Sequence, residues 1–106
     1  MLIEKKYTDG DVVSLKLSSG DELVGKLVEE KDDRYIIKTP LTLIATQQGM
    51  GLSQFMFTVN PESEYEFLKA NVTIIKKTID QFAQAYIKQT SGIVQAPAGA
   101  EKIITK

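Results

Sequence analysis

Acidic residues gather in two short runs, EEKDDR (Glu29 to Arg34) and PESE (Pro61 to Glu64), and such runs are the first to test for metal chemistry. Neither has the ligand spacing of a calcium-binding loop, and a charge run is ordinarily a solvated face, so both are expected to be turns. The glycine pair in TQQGMG (Thr46 to Gly51) has no following lysine and no following helix, which a phosphate-cradling loop requires. The chain contains no histidine and no cysteine, which removes the commonest general base, the thiol nucleophile, thiolate metal sites and disulfides. No nucleophile paired with a base is visible, so neither an enzyme nor a cofactor or metal site is expected. What remains are cations, amides and aromatic rings, which bind rather than react. With a formal charge of −1, any contact with nucleic acid would have to rest on a local basic patch.

The elements that must position these groups are mostly strands. At 106 residues, 42% hydrophobic and 25% charged, the composition suits one globular domain. No apolar run approaches the roughly 20 residues of a membrane span, and MLIEKKYTDG has no signal-peptide core, so a cytoplasmic location is expected. Val13, Leu15 and Leu17 alternate with polar residues up to the turn SSGD, and Glu22 to Glu29 forms the return strand. Arg34 to Lys38 reads as a third strand. Pro40 implies an edge, a bulge or a strand end, with Leu41 to Ala45 continuing beyond it. TQQGMG reads as a loop, Leu52 to Val59 as a further strand, and YEFLKANVTIIKK as two short strands meeting at a polar corner, Lys69, Ala70 and Asn71. The period then becomes helical over about 78–91. Ile79, Phe82, Ala83, Tyr86 and Ile87 form an apolar face expected to pack as core, Thr78 and Gln81 fit a capping box, and Gly92 suits the position past the end. Residues 93–106 read as a flexible tail, leaving 1–92 as the folded unit.

Gly25 interrupts the second strand, where a glycine costs up to about 1 kcal/mol relative to alanine. A small, strongly bent sheet needs a point where one strand bends and another backbone comes close, and a glycine supplies it. With Gly25 at its centre, VSLKLSSGDELVGKLVEEKDDRYIIK resembles the first motif of Sm and Sm-like (LSm, Hfq) RNA-associated proteins, and FLKANVTII resembles the second. The compact form, with a long insert between motifs and a C-terminal helix, is similar to Sm-like proteins attributed to cyanophages. The resemblance implies an all-β fold: a strongly bent, five-stranded open barrel with an inserted strand or hairpin and a C-terminal α-helix. It also implies a homo-oligomeric ring of about five to seven subunits, closed by edge pairing. The pairing edges would lie at Leu52 to Val59 or Tyr65 to Leu68 on one side and at Val72 to Ile75 on the other. A phage origin would make the compartment the cytoplasm of the host.

By the same resemblance, the ring's pore binds single-stranded RNA, or DNA, through Asp33, Arg34, Tyr35, Lys69 and Asn71. Asp33 stands where the family often carries a base-stacking side chain, and Tyr35 where it carries the base-contacting asparagine. Leu68, Lys69, Ala70 and Asn71 occupy the places of an apolar residue, arginine, glycine and an asparagine or aspartate. Lys69 keeps the cation, Tyr35 could stack on a base and Asn71 could hydrogen-bond one. The bland readings are a half-buried strand tyrosine, a solvated loop lysine and an asparagine that merely tolerates a turn. The competing function is a structural or protein-interaction module that kept the barrel and lost the nucleotide pocket.

Overall fold

The computed structural model describes residues 7–95, with side chains as far as Ser91. Six strands, one 3₁₀ turn and one helix follow in order: β1 (Val12–Leu17), β2 (Glu22–Glu30), β3 (Arg34–Thr46), β4 (Gly49–Gln54), β5 (Glu64–Leu68), the turn Lys69–Asn71, β6 (Val72–Lys77) and α1 (Asp80–Gln95). All pairings are antiparallel, in the order β4-β3-β2-β1-β6, with β5 also on β3. The fold is thus a bent, open antiparallel sheet with one helix. Among the described residues, no helix is long and apolar enough to cross a membrane.

The sheet is organised by the long third strand. One edge of β3 pairs with β2, while the other serves β5 over Arg34 to Lys38 and then β4 over Leu41 to Thr46. Thr39 and Pro40 fall in the gap between those two neighbours. Proline's missing N–H therefore costs no ladder bond there, and the strand runs through it rather than ending. On the β2 side, Val24 faces Leu41 and Lys26 faces Lys38, so Gly25 alone stands against Thr39 and Pro40. This is a bulge, which bends the strand and sharpens its twist. A Cβ on Gly25 would overlap the Ile37 Cγ2 and lie 3.3 Å from the Pro40 Cα. The expected close approach of backbone is present at this glycine.

The expected boundaries of β4 and α1 move. The TQQGMG loop contracts to a turn at Gln47 and Gln48, because Gly49 takes φ +119°, and the strand expected over Leu52 to Val59 instead spans Gly49–Gln54. The chain then leaves β3: the Phe55 ring packs 5.9 Å from Phe67 on β5. The extra strand expected between the third strand and YEFL is β4, hairpinned on β3, which brings the described strands to six. At the helix, Thr78 does not act as the cap. Its N–H donates to the Val12 carbonyl at 3.0 Å and its hydroxyl lies 2.8 Å from that of Ser14, so it fastens the end of the sheet, and α1 begins at Asp80. Gly92 lies inside the helix, which reaches Gln95, because one glycine's cost of about 1 kcal/mol does not by itself end a helix. The remainder of the expected tail, 96–106, lies outside the described residues.

One core cluster, Val13, Leu15, Leu27, Tyr35 and Ile37, fills the curve of the sheet, with Phe67, Val72 and Ile75 packed against it. A second, Val24, Leu41 and Tyr86, joins the helix to the bend. Of the apolar helix face expected as core, only Tyr86 is buried; Phe82 is half-buried, and Ile79 and Ile87 are exposed. The short contact between α1 and the sheet centres on Tyr86, whose hydroxyl lies 2.8 Å from the Lys38 carbonyl and 2.9 Å from that of Thr39.

Burial of Tyr86 pushes its pKa up from 10.0 to about 12. The native state then holds this proton where the unfolded chain has released it, so stability contributed below pH 10 should be lost as pH rises toward 12. The loss reaches roughly 2–3 kcal/mol. In Tyr86→Phe this part of the alkaline slope should vanish, at a cost near 1 kcal/mol at neutral pH for the lost hydrogen bond. Urea unfolding of both proteins across that interval checks it. Parallel slopes would remove Tyr86 as the cause and leave Tyr7, whose pKa burial also raises.

Candidate functional site

The register of β5 on β3 brings two loops together. Arg34 pairs with Leu68, so the turn after β5 lies beside the connection before β3, and the Lys69 N–H donates to the Asp33 carbonyl at 2.9 Å. Lys31 to Asp33 and Lys69 to Asn71 thus share one end of the sheet. Four of the five residues expected in the site, Asp33, Arg34, Tyr35 and Lys69, converge there.

Both cations are already engaged. The Arg34 guanidinium forks onto the Asp33 carboxylate at 2.8 and 2.9 Å and reaches Glu66 at 2.6 Å. Its hydrogen bonds hold the Asp33 carboxyl below its usual range, and those from Asp33 and Glu66 in turn hold the guanidinium charged. The Lys69 ammonium donates to Glu30 at 2.7 Å, which raises its pKa, and lies 5.2 Å from the centre of the Tyr35 ring. The other oxygen of Glu30 accepts from the Tyr7 hydroxyl at 3.2 Å. Tyr35 itself is only 8% exposed and belongs to the core, with the lysine over its face. In the single chain, that ring is not open for a base to stack on.

Asn71 stands apart from this cluster. Its carbonyl accepts the Ser18 N–H at 2.8 Å, and it lines a shallow depression with Leu17, Ser18 and Leu68. Among the described residues, its side-chain amide has no hydrogen-bond partner. Glu30, Glu66 and Tyr7 are the participants that sequence reasoning missed. The alternation in EYEF, which places Glu64 and Glu66 on one face of β5, was the available signal for Glu66. Nothing local marks Glu30 or Tyr7, because their roles depend on where β5 and the N-terminal segment return.

The electrostatics follow from this census. Glu30, Asp32, Asp33 and Glu66 outnumber Lys31, Arg34 and Lys69 at this end. An incoming phosphate must displace a carboxylate before either paired cation can serve it. The exposed Arg34 pairs are weak and the Lys69–Glu30 pair is only partly buried, so the exchange is not forbidden, but nothing is gained by simple approach. The sheet edges are less committed. Among the described residues, β5 pairs only with β3 and β6 only with β1, so each presents an outer edge, with Leu68 44% and Ile74 53% exposed.

No family model matches the chain, and no curated protein matches its sequence.

Proposed function

We propose that the protein is an Sm-like assembly module whose copies join edge to edge, β5 of one to β6 of the next, into a homo-oligomeric ring that serves as a structural or protein-interaction platform. The observation carrying this reading is the pair of edges on β5 and β6 that no other described strand covers, consecutive in the chain and joined by a single 3₁₀ turn. Unpaired strand edges recruit strands, and the turn holds the two edges in a fixed relation that a repeated head-to-tail contact can use. The neutralised cations and the carboxylate excess favour a platform over a polyanion channel. A second reading, single-stranded RNA or DNA at the pore, is favoured by the meeting of the Lys69 and Asp33 loops and by Lys69 lying over Tyr35. Repetition around a ring would turn one weak lysine site into a multivalent one.

Light scattering at micromolar concentration should find a discrete oligomer, and Ile74→Pro, which removes a ladder donor, should yield monomers or unfold the chain. A monomeric parent protein would overturn the assembly reading. With the oligomer in hand, short single-stranded oligonucleotides should bind little at moderate salt. Saturable binding, weakened by Lys69→Ala with a salt slope flattened by about 0.7 per lost phosphate contact, would instead decide for nucleic acid.

A further inference from the structure

Between the middle of α1 and the bend of the sheet lies a cavity of about 410 Å³, within the roughly 300–1,000 Å³ range of small-molecule sites. It lies away from the Lys69 cluster and does not depend on assembly. Its walls are of two kinds. Val12, Ile87 and the Tyr86 ring form an apolar side, and Lys26 and Lys38 stand at the other. These lysines face each other directly across β2 and β3. Like charges so placed are destabilising. Neither ammonium has a carboxylate within 4.0 Å among the described residues, whereas Arg34 holds two and Lys69 and Lys77 one each.

The backbone at the same place is strained. Thr39, which lines the cavity, is buried and takes φ +49°, a left-handed conformation that a β-branched residue rarely adopts. Such strain persists only where the surroundings hold it, and it gathers at ligand clamps. Here the bulge opposite Gly25 and the Tyr86 hydroxyl supply the restraint. Two carboxylates limit the charge a ligand can carry: Glu62 lines the cavity, and Glu64 on β5 stands opposite Lys38 on β3. With these carboxylates the site is neutral overall, so the lysines can hold one negative charge directly while a second would be repelled by Glu62 and Glu64.

We propose that this cavity binds a small organic monoanion, a carboxylate on an apolar body, with Lys26 and Lys38 clamping the charged end and Val12, Tyr86 and Ile87 covering the rest. Benzoate, phenyl phosphate and inorganic phosphate are the probes, added separately to the full-length protein while backbone amide resonances are followed by NMR. Benzoate should give saturable shifts at Gly10, Lys26 and Thr39, with phenyl phosphate weaker and inorganic phosphate weakest. Lys26→Gln and Lys38→Gln lie at exposed positions, and the rest of the spectrum reports whether each remains folded. Each should weaken benzoate about tenfold, the loss of one charge-assisted hydrogen bond. Three results would overturn the proposal: no saturable shift in the millimolar range, affinity unchanged in both variants, or inorganic phosphate binding as tightly as benzoate.

Discussion

Valine in place of Gly25 should cost at least about 2 kcal/mol, among the larger losses from a single substitution. The reason is local and geometric. A Cβ at this position already overlaps the Ile37 side chain and sits 3.3 Å from the Pro40 backbone, and valine adds two more methyl groups in the same space. Ile37 is fully buried and cannot swing away without disturbing the core around Leu15 and Leu27. For a domain of about this size, 1 kcal/mol moves the melting temperature by roughly 4–8 °C, so a drop near 10 °C or more is expected in a calorimetric scan. Gly25→Ala should fall between the two proteins, since it introduces the overlap without the extra branches. A valine variant that melts with the parent protein would show that the bulge is not crowded and that the bend has another cause.

That glycine also shows what could be read from the sequence. The alternation from Val13 to Leu27 specifies strands, and a glycine inside the second one signals a bend, because both are local consequences of side-chain period and backbone freedom. The corner at Lys69 to Asn71 was legible for the same reason. Less local outcomes were not. Pro40 was legible as an edge, a bulge or a strand end, but which of these holds is settled far away in the chain: it sits at a bulge in a continuous strand, where the neighbour on its other edge changes from β5 to β4. The helix period correctly announced α1 but not which part of its face would be covered. Ile79 and Ile87 remain exposed, because α1 meets the sheet chiefly through Tyr86. At the candidate site, the sequence named the cations and the ring but could not show that Glu30 and Glu66 would engage the cations, or that Tyr35 would lie beneath Lys69. Both depend on tertiary register, and both shift the functional reading from an open basic pore toward an ion-paired surface.

Truncation of Tyr35 should test that shift, with an effect on stability that outweighs any effect on binding. Tyr35→Ala removes a ring packed among Val13, Leu15, Leu27 and Ile37, and loss of a buried aromatic side chain costs about 3–5 kcal/mol. It also removes the face over which the Lys69 ammonium sits, and with it a cation–π contact. Tyr35→Phe keeps the ring and the cation's partner, and gives up only the hydroxyl, which acts electrostatically on Tyr7. Its cost should be small, because the packing of the ring is kept. Urea denaturation of the three proteins separates the contributions, because the midpoint of Tyr35→Phe should lie close to that of the parent protein while that of Tyr35→Ala falls far below both. If the residue were an exposed stacking platform instead, Tyr35→Ala would leave the unfolding midpoint almost unchanged and act only on oligonucleotide affinity. A stable alanine variant would therefore return the ring to the surface and restore the nucleic-acid reading to first place.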